Sequence, residues 1–245
     1  MAKDHILKTF DTELSRLNQL IAQMGGLAES QLATAVDALS RRDSKLAAHV
    51  VSEDARVDAL ENEVDAFAVR MLALRQPMAN DLRIVVGSIR IAADLERIAD
   101  YAANVAKRTI ALNQNPPVEP ARAIPRMSRI VEGMIKDVLD AFIDRDVEKA
   151  VEVWNRDVEV DDAYSSLFRE LLTYMMEDPR NITVCTHLLF IAKNIERIGD
   201  HITNIAETIY YMVRGDRLTQ QRPKTDATAF APNPAAVGTA EPKDA

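Results

Sequence analysis

Leu95-Glu96-Arg97-Ile98-Ala99-Asp100 returns one hundred residues later as Ile195-Glu196-Arg197-Ile198-Gly199-Asp200, and Asn104 returns as Asn204 at the same offset. A second pair of landmarks precedes each string. Asp54 and Asp58 correspond to Asp157 and Asp161 at an offset of 103, so the second copy is three residues shorter at the intervening turn. The order of these landmarks is kept, which marks an internal duplication.

Outward from the two strings, apolar residues recur at helical spacing in both copies. Leu14, Leu17, Ile21, Met24, Leu27, Leu32, Val36 and Leu39 predict a first helix over residues 4 to 41, ending at Arg41-Arg42-Asp43-Ser44. A second helix is expected from about Lys45 to Arg75, and Pro77 opens a third from about Met78 to Leu112. Asn113-Gln-Asn-Pro-Pro-Val-Glu-Pro120 is too rich in proline to continue a helix and reads as a linker. The programme then repeats, with helices expected from about Ala121 to Ile143, Val147 to Glu177 and Thr183 to Arg214. Gly25 and Gly26 each weaken the first helix by about 1 kcal/mol, so a bend or a close packing contact is expected there.

Three long helices joined by short turns pack most simply up-down-up, because each apolar stripe then meets two others. The expected fold is therefore all-α: two tandem antiparallel three-helix bundles, residues 1–112 and 121–214, around a linker at 113–120. Residues 215–245 carry no periodicity and no binding motif, and are expected to form a disordered tail.

Composition agrees. The chain has 245 residues, 47% of them hydrophobic but only 5% aromatic, and seven glycines, which suits helices with a sizeable core better than a turn-rich sheet protein. Pro77 and Pro179 fall between periodic segments, Pro116, Pro117, Pro120 and Pro125 cluster at mid-chain, and Pro223, Pro232, Pro234 and Pro242 lie in the tail, so none interrupts a helical pattern. A formal charge of −8 argues against binding nucleic acid or an anionic lipid surface. The N-terminus lacks a signal-peptide pattern and no run approaches the ~20 apolar residues of a membrane span, so a cytoplasmic location without membrane insertion is expected. The lone Cys185 has no partner for an internal disulfide and reads as core filler.

The chemistry of the chain lies in its carboxylates. Residues four apart on a helix share a face at about 5–6 Å, so Glu96 and Asp100 form an acidic pair aimed one way, as do Glu196 and Asp200. The apolar seam of the same helix, Leu95, Ile98, Ala102 and Val105, leaves that pair on the flank of the core, where water and ions are expected to reach it. Asp54 with Asp58, and Asp157 with Asp161, form equivalent pairs on the preceding helices; packed side by side, the pairs of each copy are expected to converge. Oxygen ligands without thiols, and with little histidine, suit iron, manganese, magnesium or calcium rather than structural zinc. Such spacing is ordinarily a solvated face, with Arg97 and Arg197 neutralising the acids three residues away, but recurrence in two copies favours a metal site. The first copy extends its acidic stripe with Glu61 and Asp65, where the second has Tyr164 and Phe168, so the two sites are not identical.

Enzymatic patterns are missing. None of His5, His49, His187 or His201 has a glutamate three residues before it, as a ferritin-like di-iron oxidase requires, and no phosphate loop, nucleophile elbow or Cys–His pair stands out.

Leu74-Arg-Gln-Pro-Met-Ala-Asn-Asp-Leu-Arg83, Leu95-Glu-Arg-Ile-Ala-Asp100, Arg169-Glu-Leu-Leu-Thr-Tyr-Met-Met-Glu-Asp178 and Asn194-Ile-Glu-Arg-Ile-Gly-Asp200 resemble the PhoU family, accessory regulators of phosphate uptake, over roughly residues 5 to 214. The resemblance implies tandem three-helix bundles, commonly dimeric, whose Glu/Asp-x-x-x-Asp motifs hold surface metal clusters, iron in some members. It implies negative control of the phosphate regulon: a cytoplasmic adaptor relays the state of a phosphate ABC transporter, through its ATPase, to a membrane sensor histidine kinase. The response regulator is then dephosphorylated, and the adaptor performs no chemistry of its own. Carried over residue by residue, the motif acids are Glu96, Asp100, Glu196 and Asp200, with Asp54, Asp58, Asp157 and Asp161 beside them. The motif's small residue differs, Ala99 against Gly199. The reading that competes with the adaptor is a carboxylate-based iron-binding or metal-sensing helical protein.

Overall fold

The computed structural model of the chain describes residues 2–219, with side chains from residue 10 onward. Its long helices are α1 (Ala2–Arg41), α2 (Ser44–Arg75), α3 (Asn80–Leu112), α4 (Ile124–Asp144), α5 (Val147–Glu177) and α6 (Ile182–Arg214). Among the described residues there is no strand, and no helix is long and apolar enough to cross a membrane.

The first turn of each copy is built alike. Arg42 and Arg145 take left-handed backbone angles (φ 56° and 54°), and the aspartate that follows caps the next helix. Asp43 accepts from the backbone N–H groups of Lys45 and Leu46, and Asp146 from that of Lys149. Arg42 also donates to the carbonyls of Asn113 and Asn115, which ties the start of the linker to the first turn.

α1 begins two residues earlier than expected, at Ala2, and three further departures bear on the fold. α3 begins at Asn80 rather than Met78, because Gln76 turns left-handed (φ 47°) and Ala79 also carries a positive φ (50°). The linker ends in a 3₁₀ turn, Glu119–Ala123, so α4 starts at Ile124, with Pro125 in its first turn, rather than at Ala121. The chain also stays ordered past Arg214: Gly215 caps α6 with φ 86°, and Leu218 packs against the core. The remainder of the expected tail, 220–245, lies outside the described residues.

α1, α2 and α3 pack on one another, as do α4, α5 and α6, and the most extensive contact between any two helices joins the copies, α3 against α6. The pair runs antiparallel. Arg83 near the start of α3 donates to the Met212 carbonyl near the end of α6 (3.4 Å), and Arg108 near the end of α3 lies over the Phe190 ring near the start of α6 (3.9 Å). Between them Tyr101 and His201, which hold the same position in the two copies, approach with ring centroids 5.6 Å apart. The buried apolar residues of both copies, including Cys185, therefore form one continuous core. Gly25 supplies close packing: a Cβ there would stand 2.3 Å from Leu139 of α4, within a helix that continues through both glycines.

Candidate functional site: two unequal carboxylate seams

Both acidic sets lie where expected along the chain, but the packing treats them differently. Leu95, Ile98, Ala102 and Val105 are fully buried, so α3 does present its acids at the edge of the α2–α3 seam. Glu96 and Asp100 are half-buried, Asp54 and Glu61 likewise, and Asp58 and Asp65 are exposed. Glu96 is held above the ordinary glutamate range, first by burial, with Arg97 opposing and Asp100, Glu61 and Asp58 adding to the rise. Asp54 is raised by burial and by Asp100 and Asp58, and Glu61 by burial and by Asp65 and Asp58. These mutual effects run between α2 and α3, so acids of both helices share one local field.

Part of that charge is answered within the chain. Arg97 Nε lies 3.4 Å from Glu96 and its Nη1 lies 3.2 Å from Asp100, in a half-exposed bridge. Arg197 does not repeat this: its guanidinium lies over the Tyr101 ring, 5.7 Å from the centroid.

In the second copy Glu196 departs from the expectation of a solvent-reached pair, while Asp200 is half-buried as Asp100 is. Glu196, Asp157 and Asp161 are 5%, 2% and 4% exposed, all inside the α5–α6 seam. The difference between Gly199 and Ala99 accounts for part of this. An added Cβ at Gly199 would lie 3.1 Å from Asp157 Oδ1, so the glycine makes room for Asp157 to sink against α6. In the first copy the corresponding residues are Ala99, which is buried, and Asp54, which stays half out.

Glu196 Oε1 accepts from Lys193 Nζ at 2.8 Å, and its other oxygen, Oε2, is buried without a hydrogen-bond partner. Burial raises the Glu196 pKa most; Lys193 lowers it, and Asp200 and Asp161 raise it. Lys193 Nζ lies 5.0 Å from the Tyr164 ring, which in turn packs on Phe168 with centroids 6.2 Å apart. Lys193 is the functional-site residue that helical spacing does not reveal. Its signal is visible only in the alignment of the copies, where it stands opposite Ala93.

Among the described residues no group of three or more His, Cys, Asp or Glu side chains is arranged to hold a metal ion. The first-copy acids fit a hard cation by donor chemistry alone, since they are oxygen-only, partly accessible and mutually repelling, with an exposed arginine answering part of their charge. In the second copy Glu196 already holds an ammonium, that of Lys193.

A groove beside the α3–α6 crossing is lined by Arg90, Asp94, Asn204, Glu207, Tyr211 and Arg217. Within it Asp94 lies 2.8 Å from His201 Nδ1 and accepts from Asn204 at 3.3 Å. Asp94 thus ties α3 of one copy to α6 of the other.

Comparison with known proteins places this arrangement. The PhoU domain model matches residues 21–109 and again 124–209. The chain is 53% identical over 230 residues to a phosphate-specific transport system accessory protein PhoU homolog of Rhizobium meliloti, covering 94% of this chain and 97% of that protein. The homolog from Caulobacter vibrioides is 51% identical over 224 residues, 91% of this chain and 97% of its own length. The crystal structure of PhoU from Pseudomonas aeruginosa superposes with a TM-score of 0.82 at 40% identity, covering 84% of this chain and all of that one. The phosphate transport system regulatory protein PhoU from Streptococcus pneumoniae gives 0.81 at 29% identity, covering 86% and 100%.

Proposed function

The chain belongs to the PhoU family of phosphate-transport accessory proteins, and from that premise we propose that it is a negative regulator of phosphate uptake and of the phosphate regulon. It acts in the cytoplasm, as a homodimer, and links the ATPase of a phosphate ABC transporter to the regulon's sensor histidine kinase, so that the response regulator is dephosphorylated when phosphate is plentiful. The observation that carries this reading is the near full-length match to proteins named for phosphate-specific transport. The surface supports it: Leu74 and Met78 are exposed beside the α2–α3 turn, as are Met176 and Ile182 beside the α5–α6 turn, and apolar side chains left bare at bundle ends suit a partner's surface. The function is one of binding, without chemistry of its own. Deleting the gene and reading a phosphate-starvation reporter in high phosphate tests it: the reporter is expected to switch on, and unchanged repression rejects the proposal.

A second reading is compatible with the first and rests on the shared field of Asp54, Asp58, Glu61, Glu96 and Asp100. These acids take a hard divalent cation, iron or manganese, which replaces the Arg97 bridge at small cost because that bridge is half-exposed. Elemental analysis of protein purified without chelator, beside the variant Glu96→Ala/Asp100→Ala, checks this; equal metal in both proteins rejects it.

A further inference from the structure

We propose that the second carboxylate seam carries its own cation, Lys193, and that this tethered ammonium, paired with Glu196, keeps metal ions from the seam that Glu196 shares with Asp157, Asp161 and Asp200. The inference deepens the metal reading above and rests on it for the first copy alone.

In the second seam one oxygen of Glu196 already holds a cation. Lys193 sits one turn before Glu196 on the same helix and donates to Oε1 at 2.8 Å. The Glu196 side chain is only 6% exposed, and a carboxylate so far from water stays ionised only beside a cation. Tyr164 and Phe168 form the wall behind Lys193, with Nζ over the Tyr164 ring at 5.0 Å, a position that favours a cation and offers a metal no carboxylate.

The base and the aromatic wall of this arrangement are both altered in the first copy. Tyr164 and Phe168 stand where the first copy has Glu61 and Asp65, and Lys193 stands where it has Ala93. The second seam thus exchanges two acids for aromatics and gains a base. A dication entering it would have to expel an ammonium that is covalently attached and partly buried, so its effective concentration beside Glu196 is never diluted. In the first seam the competing base is Arg97, whose side chain is 58% exposed and which has water to move into.

The test is Mn²⁺ binding to the full chain at neutral pH, followed by electron paramagnetic resonance, with circular dichroism to check that each variant is folded. Wild type is expected to bind Mn²⁺ only through the first copy, with binding lost in Glu96→Ala/Asp100→Ala. Lys193→Met is expected to raise the Mn²⁺ bound per chain about twofold, as hard-oxygen ligands are freed, and Glu196→Gln in that background to abolish the gain. The reciprocal Ala93→Lys, at an exposed position that tolerates a long side chain, is expected to abolish first-copy binding. If Lys193→Met gains no Mn²⁺ while wild type binds through Glu96 and Asp100, this inference fails and the metal reading stands. If wild type binds none but Lys193→Met does, the metal reading of the first copy fails and this one stands. Binding in neither protein, or wild-type binding that Glu196→Gln removes, overturns the inference.

Discussion

Leu139 of α4 occupies the notch left by Gly25 of α1, its side-chain carbon 2.3 Å from where a Cβ on that glycine would stand. Gly26, one residue on, is exposed with nothing within 4 Å of its missing Cβ. Gly26→Ala should therefore stabilise the protein by about 1 kcal/mol through helix propensity alone. Gly25→Val meets Leu139 and should destabilise by roughly 1–3 kcal/mol. Denaturant unfolding of both variants measures the difference, and two effects of the same sign would contradict the packing described.

This pair also shows what the sequence holds and what it withholds. The doublet in α1 signals a special place, but only the fold says which glycine is needed, because that depends on α4 crossing at Gly25. The helices themselves are legible throughout, since each buries a stripe of period 3.6, and the duplication is legible because its acids fall in register. The depth of the acids is not. Glu96 and Glu196 have the same helical spacing, and what separates them is Gly199 admitting Asp157 and Lys193 turning back onto Glu196. Helical periodicity assigns a face; it does not say how far two helices close over it.

Trp154 is the chain's single tryptophan, 2% exposed, and its Nε1 donates to Glu207 of α6 at 2.9 Å. Glu207→Ala should cost about 1 kcal/mol, since the exposed site lets water replace the carboxylate. It should also shift Trp154 emission to longer wavelength. Fluorescence and thermal unfolding read both effects from one sample.

Arg75 at the end of α2 grips Glu13 of α1 with two hydrogen bonds, at 2.8 and 2.9 Å. Those bonds hold the Glu13 carboxyl below its ordinary value of 4.5. A lowered carboxylate stabilises the fold above its unfolded-state pKa, and the contribution disappears as pH falls through the folded-state value. Glu13→Gln should therefore destabilise by up to about 1 kcal/mol at neutral pH, for a partly exposed pair. The gap from wild type should close as the medium is acidified below 4.5. Paired pH–stability curves check the sign, and a gap that widens in acid would refute it.

Met78 is 81% exposed, so Met78→Glu should leave stability within about 0.5 kcal/mol of wild type. If the α2–α3 turn meets the transporter ATPase, the same substitution should weaken its capture in a pull-down at high phosphate. Metal content should not change, because Met78 lies outside the acidic seam. Capture equal to wild type would remove this turn from the interface.

Tyr101 and His201 touch although each is the other's counterpart, and that contact has a meaning beyond packing. A unit that meets its own duplicate across an antiparallel crossing is what a symmetric two-chain assembly becomes once its genes are fused. Fusion releases each half from serving both sides of the axis with one sequence. Asp94 against Asn194, Tyr101 against His201 and Ala93 against Lys193 are changes that a true dimer would have had to make twice. In one polypeptide each difference is needed only once, which leaves the two halves free to differ.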